Sequence, residues 1–144
     1  MRVSSLLATA AFVVAGFTLA PGAQAQTKAF HADATTAQEV PPTAGAGSGK
    51  GTFTLNPATK ELKWSVTYSG LSSDATAAHI HGPAASGANA GVAINLAPSG
   101  MKSPLEGSAT LTDAQIADLT SGKYYLNVHT ATNKGGEIRG QIVP

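Results

Sequence analysis

The sequence contains no cysteine and few charged residues, and each shortage excludes a class of protein. Without cysteine there is no disulfide, no thiolate nucleophile and no thiolate metal ligand, so packing must stabilise the fold unless a ligand helps. Charged residues make up only 12% of the chain, and nine basic against eight acidic residues leave a formal net charge of +1. Because no basic cluster is present, we expect no nucleic-acid partner.

The longest uncharged apolar run lies near the N-terminus and is typical of an export signal. Arg2 precedes the run at residues 6–20, and Ala23-Gln24-Ala25 forms an A-x-A cleavage site. The run is too short to span a bilayer, which needs about 20 residues. We therefore predict that residues 1–25 are a cleaved signal peptide, and that the secreted or periplasmic mature chain starts at Gln26 without a membrane span.

The remaining 119 residues, 26–144, are the expected length of one domain with one hydrophobic core. Loss of Arg2 with the signal peptide leaves eight basic and eight acidic residues, so this part of the chain is formally neutral. It contains no internal repeat. We predict a single domain over residues 26–144.

Apolar and polar residues alternate through most of the chain after Gln26. The clearest runs cover residues 62–68, 92–96 and 124–128. Such alternation is typical of strands with one buried and one wet face. Glycine, proline and asparagine separate the runs as turn signals. About eight short strands divided in this way indicate an antiparallel sandwich or barrel.

One short helix and one glycine-rich segment interrupt the strand pattern. Thr112 and Gln115 have the spacing of a capping box, and Gly122 is placed as a C-terminal stop. Residues 41–51 are rich in glycine, proline and serine, and we interpret them as a mobile loop.

Four sequence blocks, found in this order, resemble the CHRD domain, the module named after chordin that also occurs singly in bacterial secreted proteins. The blocks are EVPP at residues 39–42, AHIHGP at 78–83, YLNVHT at 125–130 and GEIRGQI at 136–142. The resemblance covers the chain from Phe30 to its C-terminus. It implies an extracellular or periplasmic module of all-β fold.

A second resemblance, to copper-zinc superoxide dismutase, rests on three short matches. That family has an H-x-H on one strand of a Greek-key β-sandwich, a Val-His on a late strand and an arginine near the C-terminus. His79-Ile80-His81, Val128-His129 and Arg139 are similar. The family's zinc site needs further histidines and an aspartate, so the resemblance implies only a mononuclear copper site. With the strand pattern, it predicts a Greek-key antiparallel β-sandwich of about eight strands.

The histidines carry the strongest chemical signal of the sequence. His79 and His81 are two residues apart on a strand, so they share a face at a spacing of about 7 Å. Because Ile80 and Val128 belong to the core face, His79, His81 and His129 should project from the outer surface of the sheet. Three neutral imidazoles suit Cu(II), Zn(II) or Ni(II). The affinity order and an oxidising compartment favour copper, with zinc as the alternative.

Other interpretations of these residues stay open at this point. The histidines can equally be solvated or hydrogen-bonded surface side chains, and His31 should lie outside the site. Arg139 either supports the metal site or forms a structural ion pair with Glu137 or Glu39. Tyr124 and Tyr125 point to opposite faces, so one belongs to the core and the other can line the site.

The sequence favours a binding protein over an enzyme. No nucleophile elbow, phosphate-binding loop or dinucleotide fingerprint occurs in it. We expect an exported CHRD-type protein with a mononuclear copper site at its surface, serving metal sequestration or delivery. The alternatives are a metal-free extracellular module that binds a protein partner, and a mononuclear copper enzyme similar to superoxide dismutase.

Overall fold

The computed structural model describes residues 26–144, so the predicted signal peptide at residues 1–25 lies outside the described residues. They form eight strands, one short α-helix and a single 3-10 turn (Thr36–Gln38), which confirms the predicted all-β class. No helix within this range is long and apolar enough to cross a membrane. The strands are β1 (Lys28–Thr35), β2 (Ser48–Asn56), β3 (Glu61–Ser69), β4 (Ala75–His81), β5 (Val92–Asn95), β6 (Leu105–Thr110), β7 (Tyr125–Thr130) and β8 (Ile138–Gln141), and the helix is α1 (Asp113–Thr120).

All eight strands belong to one antiparallel sheet in the order β5-β4-β7-β8-β1-β2-β3-β6. β7 returns to lie beside β4 rather than beside β6, and β6 lies beside β3, which gives Greek-key crossovers. The Trp64 indole Nε1 on β3 donates to the Leu96 carbonyl just after β5, at 3.0 Å. This contact links the edge strand β5 with β3, the strand next to the opposite edge, so the sheet is nearly closed around a single core.

The strand β3 follows the predicted alternation closely. Leu62, Trp64 and Val66 are buried, while Lys63 between them is exposed. Trp64 packs directly over Gly107 of the neighbouring β6, where an added Cβ would lie 2.6 Å from the indole ring. The small residue on β6 therefore makes room for the largest side chain of the core.

The glycine-rich segment at residues 41–51 differs from its prediction as a mobile loop. The strand β2 begins at Ser48, so the last four residues of the segment are in the sheet. A Cβ on Gly49 would lie 2.9 Å from the Ile138 side chain, and one on Gly51 would lie 2.7 Å from the Phe53 ring. These glycines allow side chains of the core to approach the backbone closely. The glycine content that this packing requires made the segment resemble a loop in the sequence.

The short helix confirms its predicted start. The Thr112 hydroxyl accepts a hydrogen bond from the Gln115 backbone N–H at 3.2 Å, and the Gln115 side chain accepts one from the Thr112 N–H at 2.9 Å. Leu119 on its inner side is fully buried. Gly122 follows the helix with φ +67°, the left-handed conformation that suits a glycine at this position.

The strands around the histidines depart from the alternation. All six residues of β7 are buried, although a wet face was predicted for Tyr125, Asn127 and His129. Val92 was predicted to point inward and is 58% exposed, because the pairing of β5 with β4 shifts register between Ile80 and His81. The outer face of β7 thus carries a second, polar layer beneath loops.

Candidate metal centre

Three imidazoles from two paired strands meet outside the hydrophobic core. His79 Nδ1 lies 3.1 Å from His129 Nε2, and His81 Nε2 lies 3.3 Å from the same His129 nitrogen. One ring nitrogen from each residue can be chosen so that all three lie within 4.8 Å of one another. These are the three residues that the sequence pattern predicts as ligands of one metal ion.

The pairing of β4 with β7 produces this convergence. Ile80 is fully buried in the core, so the period of two sends His79 and His81 to the opposite face of β4. His79 pairs with Asn127 of β7, and His129 lies two residues further along on the same face. The rigid ladder therefore fixes the spacing of the three rings.

The predicted location at the outer surface is wrong for two of the three rings. His81 and His129 are each only 9% exposed, and His79 is half-buried. They lie on the outer side of the sheet, as the alternation required, but the backbone of Ala90 and Lys134 contacts the rings of His81 and His129 respectively. Access from solvent is consequently limited to the side of His79.

Two backbone carbonyls determine which ring nitrogens face the centre. His81 Nδ1 lies 3.0 Å from the Ala90 oxygen, and His129 Nδ1 lies 3.0 Å from the Lys134 oxygen. A carbonyl oxygen can only accept a hydrogen bond, so each Nδ1 must carry the proton. The Nε2 atom of each neutral ring then presents its lone pair to the cluster, which is the arrangement of a metal-ligating histidine.

The electrostatics of this arrangement favour a cation between the rings. Two unprotonated Nε2 atoms at 3.3 Å repel each other, since each points a lone pair at the other. Nitrogens held at 2.0–2.1 Å by one ion are separated by about 2.9 Å at a right angle and about 3.4 Å at the tetrahedral angle. The observed separations of 3.1 and 3.3 Å lie inside that interval. Both separations from His129 Nε2 therefore suit one ion, and the three nitrogens, which lie within 4.8 Å of one another, could hold it once His79 and His81 close around it.

Burial favours the neutral, metal-binding form of His79 and His81. Desolvation lowers the pKa of His79, and the charges that His129 and His81 would carry lower it further. Desolvation also lowers the pKa of His81, although the hydrogen bond to Ala90 acts in the opposite direction. Neutral imidazole is the form that binds metal. The lowered pKa values therefore allow metal binding at pH values below the ordinary histidine pKa of about 6.5.

An aromatic and a cationic side chain form one wall of the site. The Tyr125 ring stacks on the His81 ring, with centroids 5.2 Å apart and an angle of 10° between the planes. The Arg139 guanidinium lies 3.5 Å from the Tyr125 centroid, and it donates to Asn89 Oδ1 at 2.9 Å and to the Ala88 carbonyl. Tyr125 is thus the tyrosine that lines the site.

The predicted ion pair of Arg139 with Glu137 or Glu39 is not found among residues 26–144. Arg139 is only 2% exposed and is turned toward the loop before β5. Both carboxylates are buried and accept hydrogen bonds from neutral donors instead, Glu137 from Ser72 and Glu39 from Asn127. The three charged residues lie in the same polar layer without pairing.

Asn127 is a residue of the site that the sequence reasoning missed. It lies on β7, paired with His79 of β4, is 2% exposed, and donates to Glu39 and to the Ile138 carbonyl. Gly136 packs against it with φ +131°, and a Cβ there would collide with both Asn127 and Glu39. The only signal for these roles was their position in the sequence blocks. His31 is exposed on β1, outside the cluster as predicted.

Comparison with known proteins places the chain in a family without identifying a close relative. No curated protein and no solved structure matches it significantly. The family model of the CHRD domain matches residues 30–142. That range includes His79, His81 and His129, and CHRD domains are typically extracellular or secreted. Since the match covers almost all of the described residues, the chain belongs to the CHRD domain family.

Proposed function

We propose that the protein is an exported binding protein that holds one copper ion through His79, His81 and His129, for sequestration or delivery. The observation that carries the proposal is the pair of Nε2 lone pairs 3.3 Å apart, each directed inward by a backbone carbonyl. The basic residue, apolar run and A-x-A site within residues 1–25 support export by a cleaved signal peptide.

Copper is the metal that the donor set favours. The cluster offers three imidazole nitrogens and no carboxylate, which disfavours magnesium and calcium. Among the divalent ions that suit imidazole, copper binds more tightly than zinc in the general affinity order. Zinc is the alternative, and competition between the two ions distinguishes them.

The contacts of Arg139 support binding rather than superoxide turnover. An arginine that attracts a small anion to a metal needs free N–H groups directed at the open coordination position. Here the guanidinium is 2% exposed, packs on Tyr125 and donates to Asn89 and Ala88. Its similarity to the arginine of superoxide dismutases is therefore confined to its position in the sequence.

Thermal unfolding with and without copper tests the proposal. Metal that binds only the folded state stabilises it, by about 2.7 kcal/mol when free metal exceeds the dissociation constant a hundredfold. We expect copper to raise the melting temperature at pH 7.5 and to raise it much less at pH 5, where protons compete for the imidazoles. His129→Ala should remove most of the effect.

His31→Ala is the matched control, because His31 is an exposed histidine outside the cluster. It should keep the full stabilisation by copper. An equal copper effect in wild type and His129→Ala would mean nonspecific binding, and a metal-free interaction module would then replace the proposal. Metal analysis of protein purified from the periplasm or the medium provides the independent check.

A further inference from the structure

Glu137 is a buried carboxylate whose hydrogen-bond partners within the described residues are all uncharged. It is fully buried, and it accepts hydrogen bonds from Ser72 N and Ser72 Oγ, both at 2.6 Å, from Thr130 Oγ1 at 2.7 Å and from Asn133 Nδ2 at 3.0 Å. Burial acts to raise its pKa, but these donors outweigh it, so the pKa lies below the ordinary value. The group is therefore ionised at neutral pH.

The donors to Glu137 surround the turn that joins β7 to β8. Thr130 ends β7, and its hydroxyl also accepts a hydrogen bond from the Asn133 N–H at 3.0 Å. Gly136 N donates to the Asn133 carbonyl at 3.1 Å, which closes the turn on its far side. Lys134 lies in the middle of this turn. The carboxylate thus stabilises the conformation of the turn whose Lys134 carbonyl faces His129.

We infer that Glu137 is a positioning residue for His129, acting through the turn and the Lys134 carbonyl. That oxygen accepts from His129 Nδ1 at 3.0 Å and so leaves Nε2 free to bind metal. If the turn loosens, the ring loses its fixed partner, and the tautomer with the proton on Nε2 becomes populated. That tautomer cannot ligate through Nε2. The metal part of this inference rests on the proposed function, whereas the tautomer part does not.

Glu137→Gln tests the inference with a nearly isosteric change. A glutamine offers one acceptor oxygen instead of two, and its NH₂ group would face either the Ser72 N–H or the Asn133 amide. In metal-free protein, nitrogen chemical shifts of labelled histidine should show His129 with the proton on Nδ1 in wild type and a mixture of tautomers in the variant. The affinity for Cu(II) should fall by about 10–100-fold, as for other residues that orient ligands.

Val66→Ala is the control for lost stability without a change in the turn. Val66 is fully buried on β3, which is separated from β7 by β8, β1 and β2 in the sheet. It should keep the wild-type tautomer and affinity. If Glu137→Gln does not fold, Thr130→Val removes one donor to the carboxylate and the acceptor for Asn133 N–H, and the same tautomer change is expected.

The tautomer measurement decides the inference, and the affinity measurement decides the proposed function. A folded Glu137→Gln protein that keeps His129 entirely in the wild-type tautomer would overturn the positioning role, whatever its affinity for copper. A mixed tautomer supports the role even if the wild-type protein binds no copper. In that case the proposed function fails, and Glu137 remains the residue that orients His129.

Discussion

At the scale of single residues, burial and hydrogen bonding place the four histidines in three different environments. His81 and His129 are buried and each donates Nδ1–H to a carbonyl, so their tautomers are fixed. His79 is half-buried and has only His129 as a hydrogen-bond partner within the described residues. His31 is exposed on β1. Two rings thus form a fixed base, and His79 completes the site from the solvent side.

The lowered histidine pKa values predict a pH dependence of the metal-free protein. Desolvation lowers the pKa of His79 and His81 in the folded state, whereas the unfolded chain has the ordinary value of about 6.5. Below that pH the unfolded state takes up protons that the folded state resists. The free energy of unfolding in the presence of a chelator should therefore fall between pH 7 and pH 5 and be flat above pH 7.

Urea unfolding at a series of pH values measures this dependence. Asp33 and Glu137 interfere little, because each has a pKa below its ordinary value and titrates under pH 5. The double variant His79→Asn, His81→Asn should show a smaller slope than wild type between pH 7 and pH 5. A wild-type stability that rises toward pH 5 would contradict the described burial of the rings.

The residue pattern predicted which histidines cluster but not how deeply two of them are buried. Alternation with a period of two places His79 and His81 on one face of their strand. His129 follows the core residue Val128, so the same alternation places it on the outer face of β7. The partners of the rings could not be predicted in the same way. Ala90 and Lys134 contribute only carbonyl oxygens, which every residue possesses, so their identity carries no information about the contact.

At the scale of secondary-structure elements, β3 and β7 show when alternation predicts burial. β3 has Lys63 and Thr67 on its outer face, and both are exposed. The outer face of β7 carries Asn127 and His129, which also look solvent-facing in the sequence, yet both are buried. The segments that contain Ala90 and Lys134 contact the outer face of β7. Local patterning indicates which face of a strand is apolar, but the covering of the polar face depends on distant segments.

Substitution of Trp64 tests the register of β3. The indole is 5% exposed and its Nε1 bonds to the Leu96 carbonyl, so Trp64→Ala leaves a cavity and an unpaired carbonyl. We expect the free energy of unfolding to fall by about 3–5 kcal/mol in urea titrations. Such a loss is a large part of the stability of a domain of this size.

Lys63→Ala is the neighbouring control. Its ammonium group forms an exposed ion pair with Glu61 at 3.5 Å, and such surface pairs contribute about 0–1 kcal/mol. The substitution should change stability little. Comparable losses in the two variants would show that the inner and outer faces of β3 are assigned wrongly.

At the scale of the whole molecule, the Greek-key topology brings distant sequence blocks into one polar layer. Glu39 precedes β2 and accepts a hydrogen bond from Asn127 of β7. His81 ends β4 and stacks on Tyr125 of the same strand β7. Arg139 of β8 completes the layer. The number of strands was predictable from turn signals, but the sheet order was not, because it depends on which strands pair across long connections. Hydrogen bonds within the polar layer satisfy its buried polar groups.

Electron paramagnetic resonance of the Cu(II)-loaded protein tests the central claim most directly, because nitrogen hyperfine couplings count the imidazoles bound to copper. We predict one copper per chain with three histidine nitrogens in wild type and in His31→Ala, and a different spectrum with two in His129→Ala. A wild-type spectrum that shows fewer than three histidine nitrogens, or that is unchanged by His129→Ala, would contradict a site formed by His79, His81 and His129.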